Sequence, residues 1–162
     1  MNFVVIYNPN ASRIDTQFLE KIKSALTSGG HTVTLEKTEY KGHSIEIAKK
    51  YRDTDNIVIA CGGDGTIHEV ANGLALSSTP MLALPMGTGN DFCKKLYGKG
   101  VNYKQVAENL GLLNGKPSFK IRPTDLISVN DFWCINVMSI GFDTLVETVG
   151  KKINDKLHFL GS

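Results

Sequence analysis

Three short stretches of this chain combine permissive backbone with small polar side chains: Asn8-Pro9-Asn10-Ala11-Ser12, Gly62-Gly63-Asp64-Gly65-Thr66 and Gly87-Thr88-Gly89-Asn90. Glycines leave main-chain N–H groups bare to an approaching anion, and a helix that follows adds the positive end of its dipole, so the ligand chemistry they suit is phosphate. Each stretch directly follows an apolar run that reads as a strand. In a parallel α/β sheet the turns at the carboxyl ends of the strands gather along one edge, where ligands bind. The three turns are therefore expected to share a site. A single glycine cluster is explained by a tight turn alone, but two on successive strands argue for more. No Lys-Ser/Thr follows the glycines and no Gly-x-Gly-x-x-Gly spacing is present, so the grip differs from a Walker loop and from a dinucleotide turn.

Asp64 is the odd member of this set. A carboxylate about 4 Å from a phosphate charge is repelled by roughly 4 kcal/mol at an effective dielectric near 20. Three arrangements would resolve that: a divalent cation between the two, a side chain turned aside to accept a hydroxyl or amide hydrogen, or a carboxylate that caps the helix starting near Thr66. Nearby, Cys61 and Cys93 are accounted for as a buried strand end and a helix packing position. His43 and His68 read as a loop residue and a helix-face residue, with no proton-transfer role assigned.

The elements that must position these turns alternate. Phe3 to Tyr7 is a β-branched and aromatic run that stops at Asn8-Pro9-Asn10. Ser12-Arg13-Ile14-Asp15 has the form of a capping box, and Ile14, Phe18, Leu19, Ile22 and Leu26 share a helical face before Gly29-Gly30. Val33 and Leu35 mark a second strand, and Ser44 is placed to cap a helix carrying Ile45, Ala48 and Tyr51. Asn56 to Cys61 reads as a fully buried strand, Thr66 to Leu76 as a helix, and Met81 to Leu84 as another strand. Strand and helix in this order predict an α/β fold: βαβ units forming a mostly parallel sheet with helices on both faces.

Past Pro85 the rhythm changes. Short helices are expected at Asp91 to Leu96 and Tyr103 to Leu113, followed by a break at Gly115-Lys116-Pro117. Beyond the break, Phe119 to Val129 and Phe132 to Ile140 read as antiparallel strands joined by a two-residue turn at Asn130-Asp131. The division expected is a nucleotide-binding domain over 1–117 and the opening of a second, β-rich domain over 118–162. About 45 residues follow the break, too few for a second core of their own.

Composition narrows the classes. The 162 residues are 41% hydrophobic and 21% charged, as in ordinary globular chains. Three well-separated cysteines, Cys61, Cys93 and Cys134, form no metal-binding pair or disulfide framework, which fits a reducing compartment. No leader precedes the first strand, and no apolar run approaches the ~18 residues of a spanning helix. A net charge of +2 gives no nucleic-acid signature. The charge is unevenly spread: residues 92–122 carry 7 Lys/Arg against 1 Asp/Glu, whereas residues 1–91 carry 8 against 10. That basic stretch reads either as a solvated face or as a surface for anionic lipid.

Taken in order, Asn8 to Ser12, then Gly62-Gly63-Asp64-Gly65-Thr66-Ile67-His68-Glu69-Val70, then Pro85-Met86-Gly87-Thr88-Gly89-Asn90-Asp91-Phe92 resemble the signatures of the diacylglycerol kinase catalytic domain. That family includes bacterial lipid kinases and the sphingosine and ceramide kinases. The Gly62 to Thr66 element is shared with NAD kinases and phosphofructokinases, whereas the Gly87 to Phe92 element favours the lipid kinases. Ser139-Ile140-Gly141-Phe142-Asp143 is similar to the family's entry into a β-sandwich lipid-binding domain. The resemblance implies a Rossmann-like first domain and an ATP site formed by Asn8, Pro9, Asn10, Ala11, Ser12, Thr38, Gly62, Gly63, Asp64, Gly65, Thr66, Ile67, His68, Gly87, Thr88, Gly89 and Asn90. Asp64 is the catalytic candidate, and no metal ligands are assigned.

ATP and Mg²⁺ are the cofactors implied, and the activity is transfer of the γ-phosphoryl group to a lipid hydroxyl such as that of diacylglycerol. Two alternatives stand beside it: a non-catalytic nucleotide-binding module, and an NAD kinase-like enzyme. Ser12 departs from the glycine that usually ends the first turn. The family's acidic general base and structural magnesium site belong to sequence past Ser162, so the chain is expected to be an N-terminal fragment. The expected setting is the cytoplasm, peripheral at the inner membrane face, with a lipid substrate as partner and self-association through an unpaired hairpin edge.

Overall fold

The computed structural model describes residues 1–137. Four strands, β1 (Asn2–Tyr7), β2 (Thr32–Lys37), β3 (Asn56–Gly62) and β4 (Met81–Pro85), form one parallel sheet in the order β2-β1-β3-β4. Val5 of β1 lies between Leu35 of β2 and Ile59 of β3. Successive side chains of a strand alternate between faces, so an unbroken apolar run belongs to a strand buried on both. Phe3 and Val5, with Ile57, Ile59 and Cys61, enter one core, while Val4 and Ile6, with Val58 and Ala60, enter the other.

Helices cover both faces. The first core is closed by α1 (Thr16–Ser28), through Phe18, Leu19, Ile22 and Leu26, and by Val106 and Ala107 of the short helix Tyr103–Asn109. The second is closed by α2 (His43–Lys49), α3 (Asp64–Leu74) and α4 (Asp91–Tyr97), the Tyr103–Asn109 helix being α5. Topology explains the split. The chain steps outward from β1 to β2 and then reverses past β1 to β3, and right-handed crossovers in opposite directions must lie on opposite faces. The reversal leaves a crevice between the carboxyl ends of β1 and β3.

Several helix starts differ from the sequence reading. The N-cap of α1 is Asp15, not Ser12: Asp15 Oδ1 accepts the Phe18 N–H at 2.9 Å. Ile14 falls outside the helix, in the position of a hydrophobic staple, and packs against the same core as Leu19. At α2 the cap is Gly42, with φ +90, while Ser44 is buried inside the first turn. The α3 helix begins at Asp64, two residues earlier than Thr66, because Gly63 supplies the extended cap. Gly73 of α3 is required by packing, since a Cβ there would sit 2.5 Å from Ala48 Cβ and 2.7 Å from the Ile45 carbonyl of α2.

The hairpin is present but short. β5 (Ile127–Val129) and β6 (Phe132–Cys134) pair antiparallel around Asn130-Asp131, with Asn130 at φ +51 as its turn position requires. The first strand does not extend back to Phe119 because Pro123 removes a ladder donor and restricts the residue before it. Phe119 instead packs against the α1 core. Asn72 of α3 holds the hairpin by both main-chain groups of Trp133, its Oδ1 accepting the Trp133 N–H at 2.8 Å and its Nδ2 donating to the Trp133 carbonyl at 2.6 Å. The second expected strand also stops early, since residues 135–137 are no longer extended ladder; its last positions, 138–140, and the stretch Ser139 to Asp143 lie outside the described residues.

Asp15 provides a test of this packing. Its Oδ2 also accepts the Tyr103 hydroxyl at 3.0 Å, tying α1 to α5. The Phe18 amide, then the Tyr103 hydroxyl and the charges of Lys104 and Lys21, hold its carboxyl below the usual carboxylate range against the opposing effect of burial. A depressed folded pKa stabilises above the unfolded value and stops doing so as pH falls through the folded one. Asp15→Ala is expected to lower stability in urea by about 1 kcal/mol at neutral pH, with the gap from the parent shrinking below about pH 4.

Candidate functional site

The turns converge as the sequence predicts. A cleft of about 410 Å³ opens at the carboxyl ends of the strands, and all four strands send a turn to it. From β1 come Asn8, Asn10, Ala11 and Ser12; from β2, Thr38; from β3 and α3, Gly63, Gly65 and Thr66; from β4, Gly87. Asn8 shapes its own turn, with Oδ1 accepting the Asn10 N–H at 2.8 Å and its carbonyl accepting Ala11 N–H at 3.2 Å. Ser12 reaches the β4 turn, its Oγ 2.9 Å from Thr88 Oγ1. The departure at Ser12 thus links the β1 turn to the β4 turn instead of capping α1.

The β3 and β4 turns meet backbone to backbone. A Cβ on Gly63 would lie 3.2 Å from Gly87 Cα, and one on Gly87 would overlap Gly63 Cα. Asn90 braces this arrangement from below. Its Oδ1 accepts the Gly87 N–H at 2.9 Å, its Nδ2 donates to the Gly87 carbonyl at 2.7 Å, and it holds a left-handed backbone at φ +55. Asparagine is one of the few side chains that both tolerates that conformation and offers a donor and an acceptor. Around these contacts the first turn of α3 presents amides that an α-helix leaves without intrahelical partners, with Gly65 and Thr66 facing the cleft.

Asp64 takes the second of the arrangements open to it. It is the first residue of α3, and its Oδ1 accepts the Phe92 N–H of α4 at 3.0 Å, so it does not cap its own helix. It satisfies an orphan amide at the start of α4, whose own cap Asn90 is occupied by Gly87. Its other oxygen lies beside Gly89, where a Cβ would come within 2.9 Å of it.

Other candidates lie away from the cleft surface. Ile67 is fully buried in the second core and its N–H is bonded to the Gly63 carbonyl at 3.1 Å, so neither its side chain nor its amide is open to a ligand. His68 lines a separate apolar hollow with Asn72, Ile45 and Phe132, and its ring lies 3.2 Å from Asn72 Nδ2. Gly62, Pro9, Thr88, Gly89 and Asn90 do not line the cleft; Gly62 and Asn90 are buried, whereas Thr88 and Gly89 are exposed. Cys61 and Cys93 are buried, and burial pushes the Cys93 thiol up to about 12, with the Asp64 charge adding to it. Thiols so placed are packing groups.

The sequence reading missed Glu39, Tyr40, Lys41, Ser44 and Glu69, all of which line the cleft. The signal was available in principle, because the segment after β2 must reach the same sheet edge as the segments after β1 and β3. Glu69 reaches back from α3, with Oε1 accepting the Gly42 N–H at 3.0 Å, and so fixes the loop that carries Tyr40 and Lys41. Among the described residues no group of three His, Cys, Asp or Glu is placed to hold a metal ion.

A parallel sheet whose post-strand turns form an anion-suited cleft at the strand reversal defines a nucleotide-fold architecture. The chain belongs to the diacylglycerol kinase catalytic domain family, whose profile matches residues 2–121. It is 34% identical over 142 residues to a diacylglycerol kinase of Bacillus subtilis (strain 168), an alignment covering 85% of this chain and 45% of that protein. A crystal structure of a diacylglycerol kinase from Bacillus anthracis str. Sterne matches with a TM-score of 0.54 at 26% identity, over 70% of this chain and 40% of that one. The chain therefore spans less than half the length of these two relatives.

The glycines give a paired test. Gly87→Ala drives a methyl into the Gly63 backbone and is expected to cost about 1–3 kcal/mol in urea unfolding. Gly65→Ala meets nothing within 4 Å inside a helix and is expected to be neutral or stabilising by up to about 1 kcal/mol.

Proposed function

We propose that this chain is the nucleotide-binding part of a lipid kinase that transfers the γ-phosphoryl group of ATP to the hydroxyl of diacylglycerol or a related lipid. The observation that carries the reading is the meeting of four post-strand turns at one cleft, with the main-chain amides of Gly63 and Gly65 gathered against it and Gly87, its own N–H taken by Asn90, packed beside them. Phosphoryl transfer needs in-line positioning and neutralisation of the phosphoryl oxygens more than covalent help from the protein, and uncharged N–H cradles supply the first. Asn8, Asn10, Ser12 and Thr38 would bind the nucleotide alongside those amides.

Magnesium fits this donor set only as a passenger on the nucleotide. Such an ion takes one or two carboxylates together with phosphate oxygens, and Asp64 has a second oxygen free of the Phe92 bond. Bound there it would neutralise charge on the transferring phosphate. Asp64 itself holds the start of α4 and stands next to the lining residues Gly63 and Gly65 without lining the cleft.

The lipid side of the reaction is supported by the segment 92–122, where Lys94, Lys95, Lys99, Lys104, Lys116, Lys120 and Arg122 are all exposed. Exposed basic residues near an anionic leaflet each contribute about 1 kcal/mol of attraction. No helix among the described residues is long and apolar enough to cross a membrane, so this reading has the protein meet its lipid at the surface.

Two measurements test the reading. Calorimetry on the folded chain should detect ATP and Mg-ATP, and its silence with both would end the proposal. Incubation of the full-length protein, second domain included, with γ-labelled ATP, diacylglycerol vesicles and NAD separates the outcomes: label in the lipid phase is expected, label in NAD would replace the acceptor, and binding without transfer would leave a nucleotide-binding module. Asp64→Asn keeps an oxygen for the Phe92 N–H, so its melting temperature should stay close to the parent's while transfer falls at least about tenfold. Unchanged transfer would remove Asp64 from the chemistry. Vesicle binding should rise with anionic lipid content and weaken with salt.

A further inference from the structure

Tyr40 is an exposed aromatic side chain held as firmly as a buried one. Its ring stacks on His43 with centroids 4.4 Å apart and planes 5° from parallel. Its hydroxyl donates to Glu46 Oε2 at 2.8 Å. The stacked His43 is itself fixed, since its Nδ1 accepts the Glu39 N–H at 3.1 Å, and the loop between them is anchored where the Gly42 N–H meets Glu69. Yet Tyr40 is 54% exposed, and it lines the cleft. One ring face is covered by imidazole, and the ring also borders the cavity whose other walls are the glycine turns.

We propose that Tyr40 is the platform on which the base of a bound purine nucleotide stacks, with His43 as its backing. The inference rests on the nucleotide reading above and adds the residue that recognises the base. If the phosphates sit against Gly63, Gly65 and Gly87, the nucleoside must extend along the cleft. At the β2–α2 loop the cleft wall changes from bare backbone to Thr38, Tyr40 and Ser44. An aromatic ring is the group there that matches a π face, and its bonds to Glu46 and His43 remove the ordering cost that a free surface tyrosine would carry on binding. Stacking reads ring area instead of hydrogen-bonding edge, so Tyr40 should favour purines over pyrimidines and discriminate little between adenine and guanine.

The test is calorimetry on the whole chain with ATP, CTP and inorganic tripolyphosphate, for the parent and for Tyr40→Ala, Tyr40→Phe and Tyr40→Trp. Tyr40→Ala should weaken ATP about tenfold and narrow its advantage over CTP, while tripolyphosphate stays within about twofold, which also reports that the cleft is still folded. Tyr40→Phe keeps the ring and its stack on His43 but loses the Glu46 bond, and should bind ATP more weakly than the parent and more tightly than Tyr40→Ala. Tyr40→Trp should bind ATP at least as tightly, and its indole fluorescence should change on adding ATP but not tripolyphosphate. Tyr40→Ala binding ATP like the parent, or ATP and tripolyphosphate weakening in parallel, would overturn the platform and leave the phosphate cradle standing. A parent chain that binds neither ATP nor tripolyphosphate would overturn both.

Discussion

The contact on which this site depends is between two glycines. Gly63 and Gly87 end successive parallel strands, and their α-carbons approach so closely that Gly87 has no room for a side chain. Backbone contact of this kind draws the turns of β3 and β4 together, and with them the start of α3 and the Asn90 brace. Neighbouring strands bring their ends to one edge, but turns with side chains would hold those ends farther apart. The cleft is rich in bare amides because at its centre two backbone segments touch without side chains between them.

Much of the fold was legible because burial on both faces writes itself as an apolar run. Phe3 to Ile6 and Ile57 to Cys61 carry that pattern, and the helix between them announces itself through Phe18, Leu19, Ile22 and Leu26. Helix starts were harder to read. Ser12 and Asp15 both suit a cap, and local sequence does not reveal that Ser12 will be drawn off to Thr88 from a turn 76 positions away. In the same way Ser44 resembles a cap until Glu69 fixes the amide of Gly42 and the helix begins two residues earlier.

The site divides along a similar line. Its phosphate-type turns were visible because glycine in that setting has few other uses, and the resemblance to the lipid kinases added Thr38. Glu39, Tyr40 and Lys41 were not visible as site residues because exposed polar and aromatic residues in a loop look alike in sequence, and Ser44 was not because it reads as a helix cap. Only the strand order, which carries the end of β2 to the same edge, gives them their place. Asp64 stands between these cases: its oddity beside a phosphate seat was plain, but its bond to Phe92 depends on where α4 falls.

Asn72 and the amides of α3 belong to one rod of 11 residues, about 16 Å long. One end of that rod faces the cleft and the other grips the backbone of Trp133 in the manner of a missing strand neighbour. No joint separates the two ends. The hairpin therefore takes its bearing from the same rigid strut that presents the anion-facing amides, and the two are surveyed from a common datum.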